Sequence, residues 1–556
     1  MFEKNLEAID NMSLKRRLSR ITPIESRVGI SYCVTPTNDY VLLKNELPAD
    51  DLNNPREAIR KFCDENIKQE MKSNDIIIGF GLGLGYILDE LYNKYPSKIF
   101  IYEPDLMLLH FVLSNVEMSE FLASGRVYIT NDLDELIAKL SQTFITKDKV
   151  EIVYLQNYAV VKNKELLMLT QKVFDTCKSK MVDVNTITKF SKKWLINSIE
   201  NVTKINEGTA YKLSDLDNKF VGQTALIAAA GPSLNDNIEK LRANRNKFVL
   251  FAVNKAVKYL LDNGITPDFV VCLDAGNMKK TISGFGENLK NSCCIMDIRT
   301  DKNVMAVPFK KFFVNFSDTD FFMKKLLRFN DFMKFNEAGG SASTLALVAA
   351  AKMGFSKIVF AGLDLAFKDN VIYTSGETMN RISQEEILVD KVKKNIVRVR
   401  SVNGDYVYTR EDYEAFIQHF STIIKELNYN EIYNLSTFGA YIHGVKSAHI
   451  EQVLPHVPAS MTAVSFVSPF KFELNDFMQE EFCNINNIIS LISKDVFSPA
   501  LVNAVVKSVL VYQYLQADVL NVLQRNFEPE LAQEFIGKTK LAIKEIVSLL
   551  QNNRLI

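Results

Sequence analysis

Short apolar runs, each ending in a glycine-bearing or polar turn and followed by a stretch with helical spacing, recur along the chain and predict parallel α/β units. The first spans about Asp75 to Gln156. Ile76-Ile77-Ile78 runs into Gly79-Phe80-Gly81-Leu82-Gly83-Leu84-Gly85, a helical stretch reaches Leu91 and Tyr95, and Ile99-Phe100-Ile101-Tyr102 ends at Glu103-Pro104-Asp105. Strand, glycine-rich turn, helix, strand and acidic residue are in the Rossmann-like order, with Gly79, Gly81, Gly83 and Glu103 as the residues of interest. Further strands are expected at Val127–Ile129 and Glu151–Leu155, and a small β-containing lead-in at Ser31–Val34 and Val41–Lys44.

From Val160 to Asn206 there is no Gly and no Pro, and Leu166, Leu169, Val173, Trp194, Leu195 and Ile199 recur at helical spacing, which predicts long linking helices. The clearest alternation follows. Strands are expected at Ala225–Ala229, Phe248–Val253, Phe269–Leu273, Cys293–Met296, Phe312–Asn315 and Lys357–Phe360. Helices lie between them, as at Asn254–Leu261 and Ser341–Met353, giving a mostly parallel sheet covered on both faces. Beyond Val445 no glycine occurs until Gly537, and runs such as Val502–Leu523 predict a helical bundle. The expected division is an amino-terminal domain at 1–157, linking helices at 158–212, a central domain at 213–449 and a helical carboxyl-terminal domain at 450–556.

A length of 556 residues suits about three to four domains. The 66 basic and 66 acidic side chains cancel, which argues against nucleic-acid binding, since neutralising phosphates needs a basic excess. No run is apolar enough to span a membrane, and residues 1–17 contain no apolar signal core, so a cytoplasmic protein without a membrane span is expected. Seven cysteines with no CxxC spacing read as free thiols in a reducing compartment, and the five histidines include no HExxH; no metal site is expected.

In an open parallel sheet, ligands sit at the carboxyl ends of the strands. Gly231-Pro232-Ser233 follows the first central strand, Asn254 closes the second, Asp274 the third, and Gly362-Leu363-Asp364 the one at Lys357. Gly231 permits a tight turn, Pro232 sets φ, and Ser233 can cap the next helix and leave amide N–H groups for an anion; an ordinary strand-to-helix turn uses the same residues. Gly339-Gly340-Ser341-Ala342-Ser343-Thr344 opens another helix with two glycines and three hydroxyls, a second candidate anion site around Gly340, Ser341 and Ser343. Neither is a Walker A sequence, because no Gly-Lys-Ser/Thr ending occurs. Asp274 and Asp364 are compatible with ligand binding, proton transfer or plain capping. His443 lies in the glycine-bracketed loop Gly439–Gly444, where a surface residue and a functional one look alike.

Taken together, Ala229-Ala230-Gly231-Pro232-Ser233-Leu234, Asn254, Thr266-Pro267-Asp268 leading to Asp274, Gly339–Ser343 and Gly362-Leu363-Asp364-Leu365-Ala366 resemble the motility accessory factors, bacterial proteins that glycosylate flagellin. Gly79–Gly85 with Glu103-Pro104, and Asn54-Pro55-Arg56-Glu57-Ala58, look like their amino-terminal domain. The resemblance implies a multidomain α/β fold whose central domain is similar to bacterial sialyltransferases that use CMP-sialic acid. It implies transfer of a nonulosonic acid, of the pseudaminic or legionaminic kind, from its CMP-activated form to Ser or Thr of flagellin, with no cofactor beyond that donor. On that pattern Gly231, Pro232 and Ser233 would cradle the nucleotide phosphate, Asn254 and Asp274 would hold CMP and sugar, and Gly340, Ser341 and Ser343 would line the phosphate or carboxylate. Asp364 would shape the acceptor side. Where many relatives carry His-Ala-x-Gly, this chain reads Tyr373-Thr374-Ser375-Gly376. Tyr373 is then a candidate for stabilising the leaving group and His443 for the base. GxGxG followed by Glu103 also matches S-adenosylmethionine-dependent methyltransferases, but no later motif supports that chemistry. A 6-hydroxymethylpterin pyrophosphokinase-like enzyme and a non-catalytic flagellin-binding assembly factor are the alternative expectations.

Overall fold

The computed structural model describes residues 1–556 except 145–147, 277, 279–281, 317–320, 331–340, 369–395, 456–457, 494–496, 525–528 and 556. Two compact units are present, Met1–Ile187 and Thr188–Ile556.

In the first unit, β1 (Ile30–Val34), β2 (Tyr40–Lys44) and β3 (Leu47–Pro48) form a small antiparallel sheet. A parallel sheet follows, built from β4 (Ile76–Phe80), β5 (Lys98–Tyr102), β6 (Val127–Thr130) and β7 (Val150–Tyr154) in the order β6-β5-β4-β7. Every residue of β4 is buried, as a central strand covered on both faces requires. The chain steps outward from β4 to β6 and then returns to place β7 on the other side of β4, so strand order reverses between β4 and β7. Helices Leu106–Asn115 and Leu133–Thr143 start where Asp105 and Asp132 accept hydrogen bonds from the first free N–H groups.

A 42-residue helix, Asn163–Lys204, contains the boundary between the units. Its Leu169 and Val173 belong to the core of the first unit, and Leu195, Ile199 and Val202 to a core of the second. The segment expected as a separate linker is therefore shared out between two cores.

The second unit is organised by nine strands in the order β18-β17-β14-β9-β10-β11-β12-β13-β8, with every pairing parallel. They are β8 (Ala210–Lys212), β9 (Thr224–Ala228), β10 (Val249–Val253), β11 (Phe269–Cys272), β12 (Cys293–Asp297), β13 (Lys311–Asn315) and β14 (Lys357–Ala361). A separate antiparallel hairpin, β15 (Ile396–Arg400) and β16 (Tyr406–Arg410), precedes β17 (Ile432–Asn434) and β18 (Lys446–Ser447). Alternate side chains of each central strand feed different cores. Ala225, Ile227, Val249 and Phe251 pack with helices Ala342–Lys352 and Glu411–Leu427, while Leu226, Ala228, Leu250 and Ala252 pack with Ser233–Ala243, Asn254–Asp262 and the carboxyl-terminal helices.

That last contact regroups the expected helical domain at 450–556. Phe477, Ile485, Ile488, Leu501, Val505 and Ile546 join the core cluster that also holds one face of the sheet, while the carboxyl-terminal helices pack chiefly on one another and on helix Phe321–Leu326. Glu481 anchors this layer. It is fully buried, takes an ion pair from Lys325 Nζ at 2.7 Å, and accepts from Ser508 Oγ at 2.8 Å, Leu510 N at 3.1 Å and Val509 N at 3.2 Å. Glu481→Ala strands two helix-start N–H groups and weakens the hold on a buried ammonium. We expect a loss of about 3 kcal/mol, read as a lower unfolding midpoint of the second unit, with Glu481→Gln recovering part of it.

Candidate functional site

Strand order in the large sheet reverses between β9 and β14: the chain proceeds from β9 to β13 on one side, and β14, β17 and β18 lie on the other. The GPS turn leaves the carboxyl end of β9, and Gly362-Leu363-Asp364 leaves that of β14, so both loops stand at the switch point, where a parallel sheet opens a crevice.

The two loops are knotted together. Gly231 N donates to Gly362 O at 2.8 Å and Ala229 N to Ala361 O at 2.8 Å. A Cβ on Gly231 would stand 2.4 Å from Gly362 O and 2.5 Å from Asp364 Oδ2, so only glycine admits this approach. Gly362 has φ +79° and faces the backbone of Ala229 at a distance that leaves no room for a side chain. Ser233 N donates to Asp364 Oδ2 at 2.8 Å. The carboxylate of Asp364, not the Ser233 hydroxyl, thus caps helix Ser233–Ala243; the expected Ser233 cap is replaced by a residue 131 positions away.

A third loop completes the knot. Ala440 N donates to Asp364 O at 2.8 Å, Asn434 Nδ2 to Leu363 O at 2.8 Å, and Gly439 N to Ser436 Oγ at 3.0 Å. Asp364 is 1% exposed. Burial pushes its carboxyl above the ordinary value, and the hydrogen bond from Ser233 N and the neighbouring Ser233 and Ser436 hydroxyls oppose that push. Three polar atoms at this turn, Ser233 Oγ, Asn235 Oδ1 and Asp364 Oδ1, are buried and make no well-formed hydrogen bond among the described residues, the Ser233 and Ser436 hydroxyls lying near the Asp364 carboxylate without the geometry of one. A native interior leaves only a few such groups per hundred residues, so three gathered at one turn mark it as a candidate site.

Farther along the same rim, Asn254 is buried at the end of β10 and donates Nδ2 to Asp274 Oδ2 at 3.1 Å. Asp274, just past β11, is exposed, and its backbone O accepts from Asp301 N at 3.0 Å. Helix Ala342–Lys352 ends beside the amino end of β14, so its start at Ser341 faces the carboxyl rim. Ser341 Oγ caps it by accepting from Thr344 N at 3.1 Å, and Ser343 is half-buried. The rim thus collects Gly231, Pro232, Ser233, Asn254, Asp274, Ser341, Ser343 and Asp364. Gly340 and Tyr373 lie outside the described residues. His443 is not brought into the knot: its N–H is held by Ser421 Oγ at 3.2 Å, on the helix leading into the amino end of β17, and its side chain is exposed.

The hairpin β15–β16 was absent from the expected elements although its alternation and Asn403-Gly404 turn carry a hairpin signature. It borders the site, with Phe367 N donating to Tyr408 O at 2.9 Å and Tyr441 N to Arg400 O at 2.8 Å. Arg398, Arg400, Tyr406 and Tyr408 share its exposed face, the Arg398 guanidinium 5.3 Å from the Tyr406 ring centre and Arg400 5.8 Å from that of Tyr441.

The glycine loop of the first unit is closed by its own residues. Glu103, fully buried, accepts from Leu82 N at 3.0 Å, Asp105 N at 2.9 Å and Tyr158 Oη at 2.6 Å. The Tyr158 ring lies where a Cβ on Gly81 would fall, 2.7 Å from its Cδ1, and Gly79 is packed under Ile101. Glu103 therefore pins the loop and has no acceptor turned outward for a ribose.

Three comparisons with known proteins bear on this geometry. Residues 196–370, which hold the GPS turn, Asn254, Asp274 and Asp364, match the family model "6-hydroxymethylpterin diphosphokinase MptE-like". An uncharacterized protein of Treponema pallidum (strain Nichols) is 25% identical over 165 residues, covering 29% of this chain and 77% of that one. The class of fold is a multidomain α/β protein with parallel sheets. Over its whole length the chain has the fold of a MAf glycosyltransferase from Magnetospirillum magneticum AMB-1, with a TM-score of 0.70, 15% identity, and coverage of 100% of this chain and 97% of that one. That is the fold implied by the motility accessory factor resemblance. Among the described residues no helix is long and apolar enough to cross a membrane, and no cluster of three His, Cys, Asp or Glu side chains is placed to hold a metal ion.

Burial pushes the Glu103 carboxyl from 4.5 to about 7, with the Tyr158, Leu82 and Asp105 hydrogen bonds opposing it. The native unit therefore keeps a proton that the unfolded chain releases, and stability from this group falls as pH rises from about 4.5 to about 7. Glu103→Gln should make the stability-against-pH curve of the first unit shallower across this range, measured by thermal unfolding, the buried Asp50 carboxyl, pushed up to about 7, supplying a slope of the same sign that remains.

Proposed function

We propose that this protein is an O-glycosyltransferase that moves a nonulosonic acid of the pseudaminic or legionaminic type from its CMP-activated donor to Ser or Thr hydroxyls of flagellin in the cytoplasm. The observation that carries the reading is the GPS–Asp364 knot at the β9–β14 switch point, with its three unpartnered polar atoms. The whole-chain likeness to a MAf glycosyltransferase supports the same class.

In this reading the donor lies along the rim. The Ser341-capped helix start, with Gly340, Ser341 and Ser343, receives the anionic part of the donor through N–H groups and hydroxyls. Ser233 turns its unpartnered hydroxyl toward the departing phosphate, whose charge grows as the sugar becomes oxocarbenium-like. Asp364 acts as a positioning residue: it holds Ser233 and Gly231 in place from below. Asp274 is the exposed carboxylate of the rim and Asn254 fixes one of its oxygens, so Asp274 takes the role of base toward the acceptor hydroxyl, in place of His443. The Arg-Tyr face of the hairpin offers the acceptor chain charge and stacking surface beside the reaction.

The match to the pterin diphosphokinase model favours a second reading, in which ATP would transfer diphosphate to a hydroxymethylpterin with release of AMP. Incubating the full chain with each substrate pair separates the two. Added nonulosonic acid mass on flagellin is expected, and AMP formed from ATP and the pterin would replace the first reading by the second. Ser233→Ala with Asn254→Ala is expected to abolish the mass addition in intact-mass spectrometry. Asp274→Asn should lower kcat about 100-fold or more with little change in donor KM.

A further inference from the structure

The long helix Asn163–Lys204 reaches the candidate site through one of its faces. Trp194, Asn197 and Asn201 follow one another at spacings of three and four, which brings them together on one side of the helix. Both asparagines are buried, and each uses its two amide hydrogens. Asn201 Nδ2 donates to Ile298 O and to Thr300 O, each at 2.8 Å. Asn197 Nδ2 donates to Arg299 O at 3.0 Å and to Ala275 O at 3.3 Å. The Arg299 side chain returns to the same helix face, its guanidinium 5.4 Å from the centre of the Trp194 ring, while its Nε donates to Asp297 Oδ1 at 2.8 Å. The helix thus holds the carbonyls of residues 298, 299 and 300 in the loop that leaves β12, and that of Ala275 in the loop that leaves β11.

That grip carries over to Asp274. Thr300 Oγ1 donates to Cys272 O at 3.0 Å and Asp301 N to Asp274 O at 3.0 Å, so residues 298–301 lie against the end of β11 as a splint. Asp301, itself buried, accepts from Met278 N at 3.2 Å farther along the same turn. The Asp274 side chain has Asn254 Nδ2 on one oxygen and is exposed to solvent. Nothing lies within 4 Å of where a Cβ on Gly276 would stand, so the turn is open on that side and takes its position from the contacts on the other. An exposed carboxylate on a loop is free to wander, and a base cannot afford that freedom: a displacement of about 1 Å can cost about 100-fold in rate.

We infer that Asn197 and Asn201 are positioning residues for Asp274: through residues 298–301 and Ala275, the helix fixes the turn from which the carboxylate meets the acceptor hydroxyl. This rests on Asp274 serving as the base in the proposed transfer.

Two measurements on the full chain test it. The first needs no substrate: hydrogen exchange of residues 298–301, read by mass spectrometry of peptides, should be faster by about tenfold or more in Asn201→Ala than in the wild type. The second is a double-mutant cycle on sugar transfer to flagellin. Asn201→Ala alone should lower kcat about tenfold or more with donor KM within about twofold, and should lower it no further once Asp274→Asn is present. A general loss of stability would lower kcat in both backgrounds. Asn197→Ala, which gives up the longer pair of bonds, takes the same tests where Asn201→Ala does not fold. Unchanged exchange in a folded variant, or an equal fall in kcat with and without Asp274→Asn, would overturn the inference. Absence of transfer by the wild type, or wild-type turnover by Asp274→Asn, overturns the proposed reaction or its base, and exchange alone then decides whether the helix holds the Asp274 turn.

Discussion

One reversal of strand order governs the second unit. A parallel sheet that grows outward from β9 in both directions must part its loops at that point, and the Ser233 N to Asp364 Oδ2 bond closes the parted loops from beneath. Without a carboxylate there, the start of helix Ser233–Ala243 would present an unmet N–H to the interior beside the Gly231–Gly362 backbone bond. The loop after β17 then seats its Ala440 N–H on Asp364 O, so one residue sets the position of three loops. A site built this way is rigid below and polar above, which suits electrostatic stabilisation by groups already in place.

The fold was legible where local chemistry alone decides it. Buried parallel strands need apolar runs, and Phe248–Val253, Phe269–Leu273 and Cys293–Met296 announce themselves within a residue of β10, β11 and β12. What escaped depends on partners distant in sequence. Nothing near Ser233 reveals that Asp364 will take over its capping, and nothing in the pattern of Val502–Leu523 says that these mutually packed helices join the core cluster that holds one face of the sheet. β8 is too short to register, and the hairpin signal at Asn403-Gly404 sits among exposed Arg and Tyr residues that do not read as core. His443 looked active because glycines bracket it; one of them, Gly444, instead lets the chain pass against Ile424. The first glycine loop was read correctly as a turn, but the sequence could not tell that Tyr158 would fill it.

The rim also gives meaning to the zero net charge. Recognition of an anion here would rest on helix starts and hydroxyls, whose partial charges act at short range. The two guanidiniums of β15 lie over tyrosine rings at the surface. Low identity to the MAf structure with retention of the whole fold fits the same picture, because a sheet core constrains size and apolarity far more than identity.

The Tyr158–Glu103 pair has a consequence for the history of the first unit. A side chain tethered within its own loop is a ligand present at a very high effective concentration, and it never diffuses away. Any nucleotide approaching Gly81 would meet an occupied receptor, with its apparent affinity multiplied by the small fraction of time the tyrosine is out. The glycine loop is thus supplied with an internal competitor, the Tyr158 ring held by Glu103.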